Sequence, residues 1–232
     1  MDSNIVSTGQ WYSLLGWVDK NRKQIISALV ICVIAGVLIG FMTWRSSQRR
    51  IEAGQKLSAL IADTAGKSLS VESLTQLATE YDGTDAAARA LLMAGAQAFA
   101  DGKVPEAEAL FQRFVGGYEG HALLPQAKLG IAVCLDAQGK AAEAAAAFKE
   151  VVDRFPNANT ITSAKFNLAS LYEAQGKMES ARDIYMTLTQ DSQSTYGAEA
   201  IARLTEMFQK NPSLRPGATT PAPAPMAVTP AS

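Results

Sequence analysis

Gly102-Lys103-Val104-Pro105-Glu106-Ala107-Glu108-Ala109-Leu110-Phe111 returns 37 residues later as Gly139-Lys140-Ala141-Ala142-Glu143-Ala144-Ala145-Ala146-Ala147-Phe148, and again as Gly176-Lys177-Met178-Glu179-Ser180-Ala181-Arg182-Asp183-Ile184-Tyr185. Each copy opens on Gly-Lys, places an alanine five residues after the glycine and an aromatic ring four residues beyond that. Tyr81, Tyr118 and Phe155 recur at the same offset. A period of this size marks supersecondary units that cannot bury their apolar faces alone and therefore stack on one another.

Each unit reads as a pair of helices. In the second, Leu129, Ala132, Val133 and Ala137 share one helical face, Gly139 ends that helix, and Ala144, Ala147, Phe148 and Val151 form the stripe of its partner. Phe155-Pro156 closes the unit, because proline cannot continue a helix and restricts the residue before it. Upstream, Gly66-Lys67, with Ala53, Leu57, Leu60 and Ile61 before it and Leu74, Leu77 and Tyr81 after it, reads as a diverged first unit. Downstream, Ile201, Leu204 and Phe208 give Tyr196 to Lys210 the pattern of a closing amphipathic helix. From Asn211 the composition changes: six of the nine prolines fall in the last 21 residues, a segment expected to be an extended, disordered tail.

Ahead of the repeats, residues 25–44 carry no charge. At about 1.5 Å per residue, twenty residues of helix cover the roughly 30 Å hydrocarbon core of a bilayer. Lys20, Arg22 and Lys23 precede the run, Arg45, Arg49 and Arg50 follow it, and Trp17 and Trp44 stand at the two expected interfaces. The run is longer than the apolar core of a signal peptide, and no Ala-x-Ala site follows it. Three basic residues on either side leave the positive-inside rule without a decision on orientation. Ala28, Cys32, Gly36 and Gly40 recur every fourth residue, a stripe of small side chains that suits close approach of a second helix, from another copy or from a membrane partner. The expected organisation is thus a short, interfacial N-terminal segment (1–24), a transmembrane helix (25–44), a helical repeat domain (45–210) and a tail (211–232), all-α throughout.

Charge argues against nucleic acid. Residues 1–56 hold seven Lys/Arg against three Asp/Glu, whereas the remainder holds fourteen against nineteen, so the surplus positive charge lies beside the apolar run rather than on the repeats. Catalytic signatures are missing as well. His121 is the only histidine and reads as an exposed turn residue; the Gly-Lys pairs lack the flanking residues of a phosphate loop, and Cys32 and Cys134 have no metal-ligand spacing. The expectation is a protein without catalytic residues, metal or cofactor.

Ala-x-x-x-Phe/Tyr in all three clear units, with Ala94-Gly95, Ile131-Ala132 and Leu168-Ala169 at the Leu-Gly position, Tyr172 in the third unit and Pro156 in the second, resembles the tetratricopeptide repeat. That resemblance implies an α-solenoid in which the first helix of each pair lines a groove for another protein. By register the lining comprises Arg89, Leu92, Ala96 and Phe99, then Gln126, Leu129, Val133 and Asp136, then Ser163, Phe166, Ser170 and Glu173. Such a lining is apolar and small, suited to an apolar or helical segment. Taken whole, the leader Trp17-Val18-Asp19-Lys20-Asn21-Arg22-Lys23, the single apolar helix, the polar helix from Arg45 and the repeats resemble the YfgM-like family. This second resemblance implies a single-pass protein of the bacterial inner membrane, ancillary to the SecYEG translocon, with its C-terminal domain in the periplasm. It implies envelope complexes or exported polypeptides as partners and a chaperone-like role. The other reading of the same features is a permanent structural subunit of a larger membrane assembly.

Overall fold

The structure is a computed structural model and describes residues 22–63, 69–191 and 194–217; in the interior of the first helix the side chains of residues 25, 26 and 28 are not described. Every regular element among these residues is helical: α1 (Arg22–Asp63), α2 (Val71–Glu80), α3 (Asp85–Ala100), α4 (Val104–Gly117), α5 (Leu124–Ala137), α6 (Ala141–Arg154), α7 (Ile161–Ala174), α8 (Met178–Leu188), α9 (Thr195–Lys210), and the short 3-10 turns Thr189–Asp191 and Pro212–Leu214. The chain divides into two compact units, Met1–Gln55 and Lys56–Ser232.

The described part of the first unit is α1 alone. This helix is long and apolar enough to cross a membrane. From Leu29 to Trp44 its large apolar side chains are exposed all round, among them Ile31, Val37, Leu38 and Met42, so that no packing among the described residues accounts for them. Helix runs without a break from the uncharged stretch into Arg45–Asp63, because nothing between Trp44 and Arg50 is a helix breaker.

In the second unit each helix packs on its neighbours in sequence, and α3 also touches α5 while α7 touches α9. The pairs α3/α4, α5/α6 and α7/α8 are the three repeats. Their turns are alike: Gly102, Gly139 and Gly176 have φ of 76°, 74° and 75°. This left-handed conformation suits glycine, and it lets the following lysine N–H reach back to the carbonyl five residues earlier, at Ala98, Leu135 and Tyr172. Two orphan carbonyls per helix are satisfied this way, which is why Gly-Lys recurs. Ala107, Ala144 and Ala181 are each 0% exposed, and the rings of Phe111, Phe148 and Tyr185 are buried behind them. Small side chains there let the two helices of a pair close up, and each ring then fills the space toward the next pair, stabilising by about 1.5–3 kcal/mol of burial apiece.

The diverged first unit is built from the end of α1 and from α2: Leu57, Leu74, Leu77 and Tyr81 are buried, whereas Ile61 is exposed. Gly66 and Lys67 lie outside the described residues. At the other end the tail begins later than its composition suggests. Leu214 is buried among Tyr185, Ala200, Leu204 and Met207, and Arg182 Nη1 donates to the Leu214 carbonyl at 3.4 Å, so residues 211–217 belong to the fold. The expected disordered tail beyond them, and the leader through Asn21, lie outside the described residues.

His121 also differs from its expected role. Its ring is half-buried, edge-on to Phe114 and Tyr118. The Leu123 N–H donates to Nδ1 at 3.1 Å, so Nε2 carries the proton and donates it to Asp85 Oδ1 at 2.8 Å. Beside it the Tyr118 hydroxyl donates to Asp82 Oδ1 (3.0 Å) and accepts from the Gly83 N–H (3.1 Å). Together they latch the turn that follows the first repeat to the turn that precedes it. One period later the equivalent positions hold Phe155 and Ala158, with Glu119 and Ala122 in place of Asp82 and Asp85, a set that cannot make these bonds.

Candidate protein-binding groove

Two helices bring five of the expected groove residues together. Ala96 and Phe99 from α3 and Gln126, Leu129 and Val133 from α5 line one cavity of about 250 Å³, with Phe111 of α4 and Gly130 of α5 completing it. The lining is apolar apart from the Gln126 amide, whose Nε2 donates to Asn159 Oδ1 at 3.0 Å.

The position of Phe111 explains why a cavity exists here. A Cβ added at Gly95 would lie 2.6 Å from one edge of the ring, and one added at Gly130 would lie 2.6 Å from the other. Contacts that short do not occur, so only two bare backbones admit the ring between α3 and α5. Gly95 was legible as part of the Leu-Gly position; Gly130 was not singled out. Its signal is that glycine in mid-helix costs about 1 kcal/mol against alanine, a cost that calls for a packing reason. In the second junction the equivalent positions are Ala132 and Asn167, and Phe148 instead packs on Leu135, Leu168 and Leu171.

The remaining expected residues fall elsewhere. Arg89 is exposed, its Nε donating to Asp85 Oδ2 at 2.7 Å, and Leu92 is half-buried outside the cavity. Asp136 is exposed on the α5 turn beyond Val133. Phe166 is only 8% exposed: its ring lies 5.7 Å from that of Tyr185 and 5.5 Å from that of Tyr196, so it packs as core at the third unit. Ser163 Oγ donates to the Thr160 carbonyl. Ser170 Oγ lies 3.0 Å from the Tyr185 hydroxyl, which donates to Glu173 at 3.1 Å. Burial, and secondarily the Glu173 charge, pushes the Tyr185 phenol up to about 12, so it stays a donor throughout the ordinary pH range. Of the small-residue stripe on α1, Cys32, Gly36 and Gly40 are exposed, and a Cβ at either glycine would meet nothing within 4 Å; the Ala28 side chain is among those not described. Among the described residues, no group of three His, Cys, Asp or Glu side chains is placed to hold a metal ion.

A family profile described as a tetratricopeptide repeat-like domain matches residues 16–207, most of the chain. The chain belongs to this family. Tetratricopeptide-like repeats assigned to a kinesin light chain of Podosopora anserina are similar in fold: one structure superimposes with a TM-score of 0.51 at 16% identity, covering 73% of this chain and 88% of the other. A point variant of it gives 0.52 at 17% identity, over 73% and 87%. At that identity the likeness concerns the fold alone. No curated protein matches the chain. Tetratricopeptide-like domains generally mediate protein–protein interaction, and membership of this family points to that role.

Proposed function

We propose that this chain is a membrane-anchored interaction protein of the bacterial cell envelope, whose repeats receive apolar segments of other polypeptides in a chaperone-like role or as an ancillary part of the protein translocon. The observation that carries the reading is the pairing of two features in one chain: a helix whose large apolar side chains from Leu29 to Trp44 are exposed, and a repeat domain with an uncharged cavity on its groove face. Exposed leucine, isoleucine and valine on every side of α1 suit lipid, and Trp44 with Arg45 at the end of the run suits the interface. Resemblance to the YfgM-like family supports an inner-membrane location with the repeats in the periplasm. The role is binding rather than catalysis, since the groove offers no nucleophile or paired acid and base.

Two measurements test this. A topology reporter fused after Ser232 is expected to be active only in the periplasm; cytoplasmic activity refutes the translocon-associated reading. A photo-crosslinking residue at Leu129 in intact cells is expected to give many transient adducts with exported polypeptides. A single stoichiometric adduct would instead identify a permanent subunit of one assembly.

A further inference from the structure

The groove face changes chemistry along one row of equivalent positions. Phe99, Asp136 and Glu173 occupy the same place, near the C-terminal end of the first helix of successive repeats. In the first repeat that place is apolar: Phe99 joins Leu129 and Val133 in the cavity over Phe111, where no lining residue is charged. In the second it is a carboxylate. Asp136 is exposed, one helical turn beyond Val133, and among the described residues it forms no ion pair; Lys140 lies past the Gly139 turn and does not engage it. In the third, Glu173 accepts one hydrogen bond from Tyr185, which leaves a carboxylate with further acceptor capacity. Both acids stand in the last turn of their helices, where the helix dipole adds negative partial charge of the same sign.

We propose that this face selects partner segments that carry one bulky apolar side chain followed, about three residues later, by lysine or arginine. The apolar side chain fills the 250 Å³ cavity, and the cation reaches Asp136. Asp136 lies on α5 six to seven residues past the middle of that helix's share of the lining, Gln126 to Val133, roughly 10 Å along the axis at about 1.5 Å per residue, which an extended chain covers in roughly three residues at about 3.3 Å each. A carboxylate at that place in the partner would meet Asp136 and the helix end with like charge. The inference rests on the reading of this face as a binding groove.

The test is an array of thirteen-residue Ser/Gly peptides bearing Phe, Leu or Ser at the centre and Lys, Ser or Glu three residues on, probed with the full chain in detergent micelles. Phe or Leu with Lys is expected to bind about two- to five-fold better than the same peptide with Ser, the scale of one exposed ion pair, and better again than with Glu. Asp136→Asn should remove the Lys preference while leaving the Phe-over-Ser preference, and Asp136→Lys should invert the charge preference. Equal binding of the Lys and Glu series, or a Lys preference that survives Asp136→Asn, overturns the proposal and leaves the groove reading standing. If the Phe and Leu peptides bind no better than the Ser blank, or Leu129→Arg leaves their binding unchanged, the groove reading itself fails and the proposal with it.

Discussion

Replacing Gly130 by alanine should destabilise the repeat domain, against the usual rule that alanine improves a helix. The added methyl would sit 2.6 Å from Phe111 Cε2 and 2.7 Å from Cδ2, whereas ordinary contacts begin near 3.4 Å, so the ring has to retreat by close to 1 Å. It cannot slide sideways, and only a tilt into the cavity beside it gives room. The opposite edge lies against Gly95, where an added Cβ would itself be 2.6 Å away, and the ring is 5% exposed. Overpacking of this kind costs about 1–3 kcal/mol, offset by about 1 kcal/mol of improved helix propensity. At about 2–4 °C per kcal/mol for a domain of this size, a net loss of up to about 2 kcal/mol lowers the melting temperature by several degrees. The assay is thermal unfolding of the full chain in detergent by far-ultraviolet circular dichroism. Gly116→Ala provides the control: it is also helical, but an added Cβ there meets nothing within 4 Å, so it should stabilise by about 0.4–1 kcal/mol. Phe111→Leu in the Gly130→Ala background should recover part of the loss by making room. The reasoning is refuted if Gly130→Ala and Gly116→Ala shift the melting temperature in the same direction.

Tyr118→Phe removes the hydroxyl that joins Asp82 to the Gly83 N–H and should cost about 1 kcal/mol in the same assay; Phe155→Tyr, at the equivalent position without those partners, should be neutral. The hydrogen bond from His121, followed by that from Arg89, holds the Asp85 carboxyl below its ordinary 3.8. A depressed folded value contributes stability above the ordinary value and loses it as pH falls through the folded one. The stability difference between wild type and Asp85→Asn should therefore persist at pH 5 and be lost as the pH falls below the ordinary value of 3.8, as read by urea titration at each pH. Leu214→Ala, or a chain ended at Lys210, should lose about 2 kcal/mol because Leu214 is 6% exposed within the terminal core cluster; denaturant midpoints check this. Cys134 is fully buried, and burial pushes its thiol up to about 11, leaving about one molecule in a thousand as thiolate at pH 8. Iodoacetamide should alkylate it only after unfolding in urea, as mass spectrometry of the labelled peptide would reveal.

The repeat was legible because its determinants are local and periodic. A left-handed glycine at a helix end, an alanine where two helices close up and a ring one turn later each leave a fixed mark on the chain, so the helix pairs and their turns follow from spacing, whereas the groove residues came from the resemblance to the tetratricopeptide repeat. The apolar run of α1 was legible for the same reason. Other features depend on which side chain meets which across the stack. Phe166 has the same register as Leu129, yet Tyr185 and Tyr196 converge on it and turn a lining residue into core. His121 stands in a glycine-rich turn, yet Asp85, 36 residues earlier, comes within 2.8 Å of it. Leu214 sits among residues of tail-like composition, yet α8 and α9 provide it a pocket. Sequence by itself determined the architecture and the face that is turned outward, since both are set by residues a few positions apart. Only the tertiary structure decided where that face opens into a cavity, because the opening depends on two glycines in different helices, Gly95 and Gly130, admitting one ring between them.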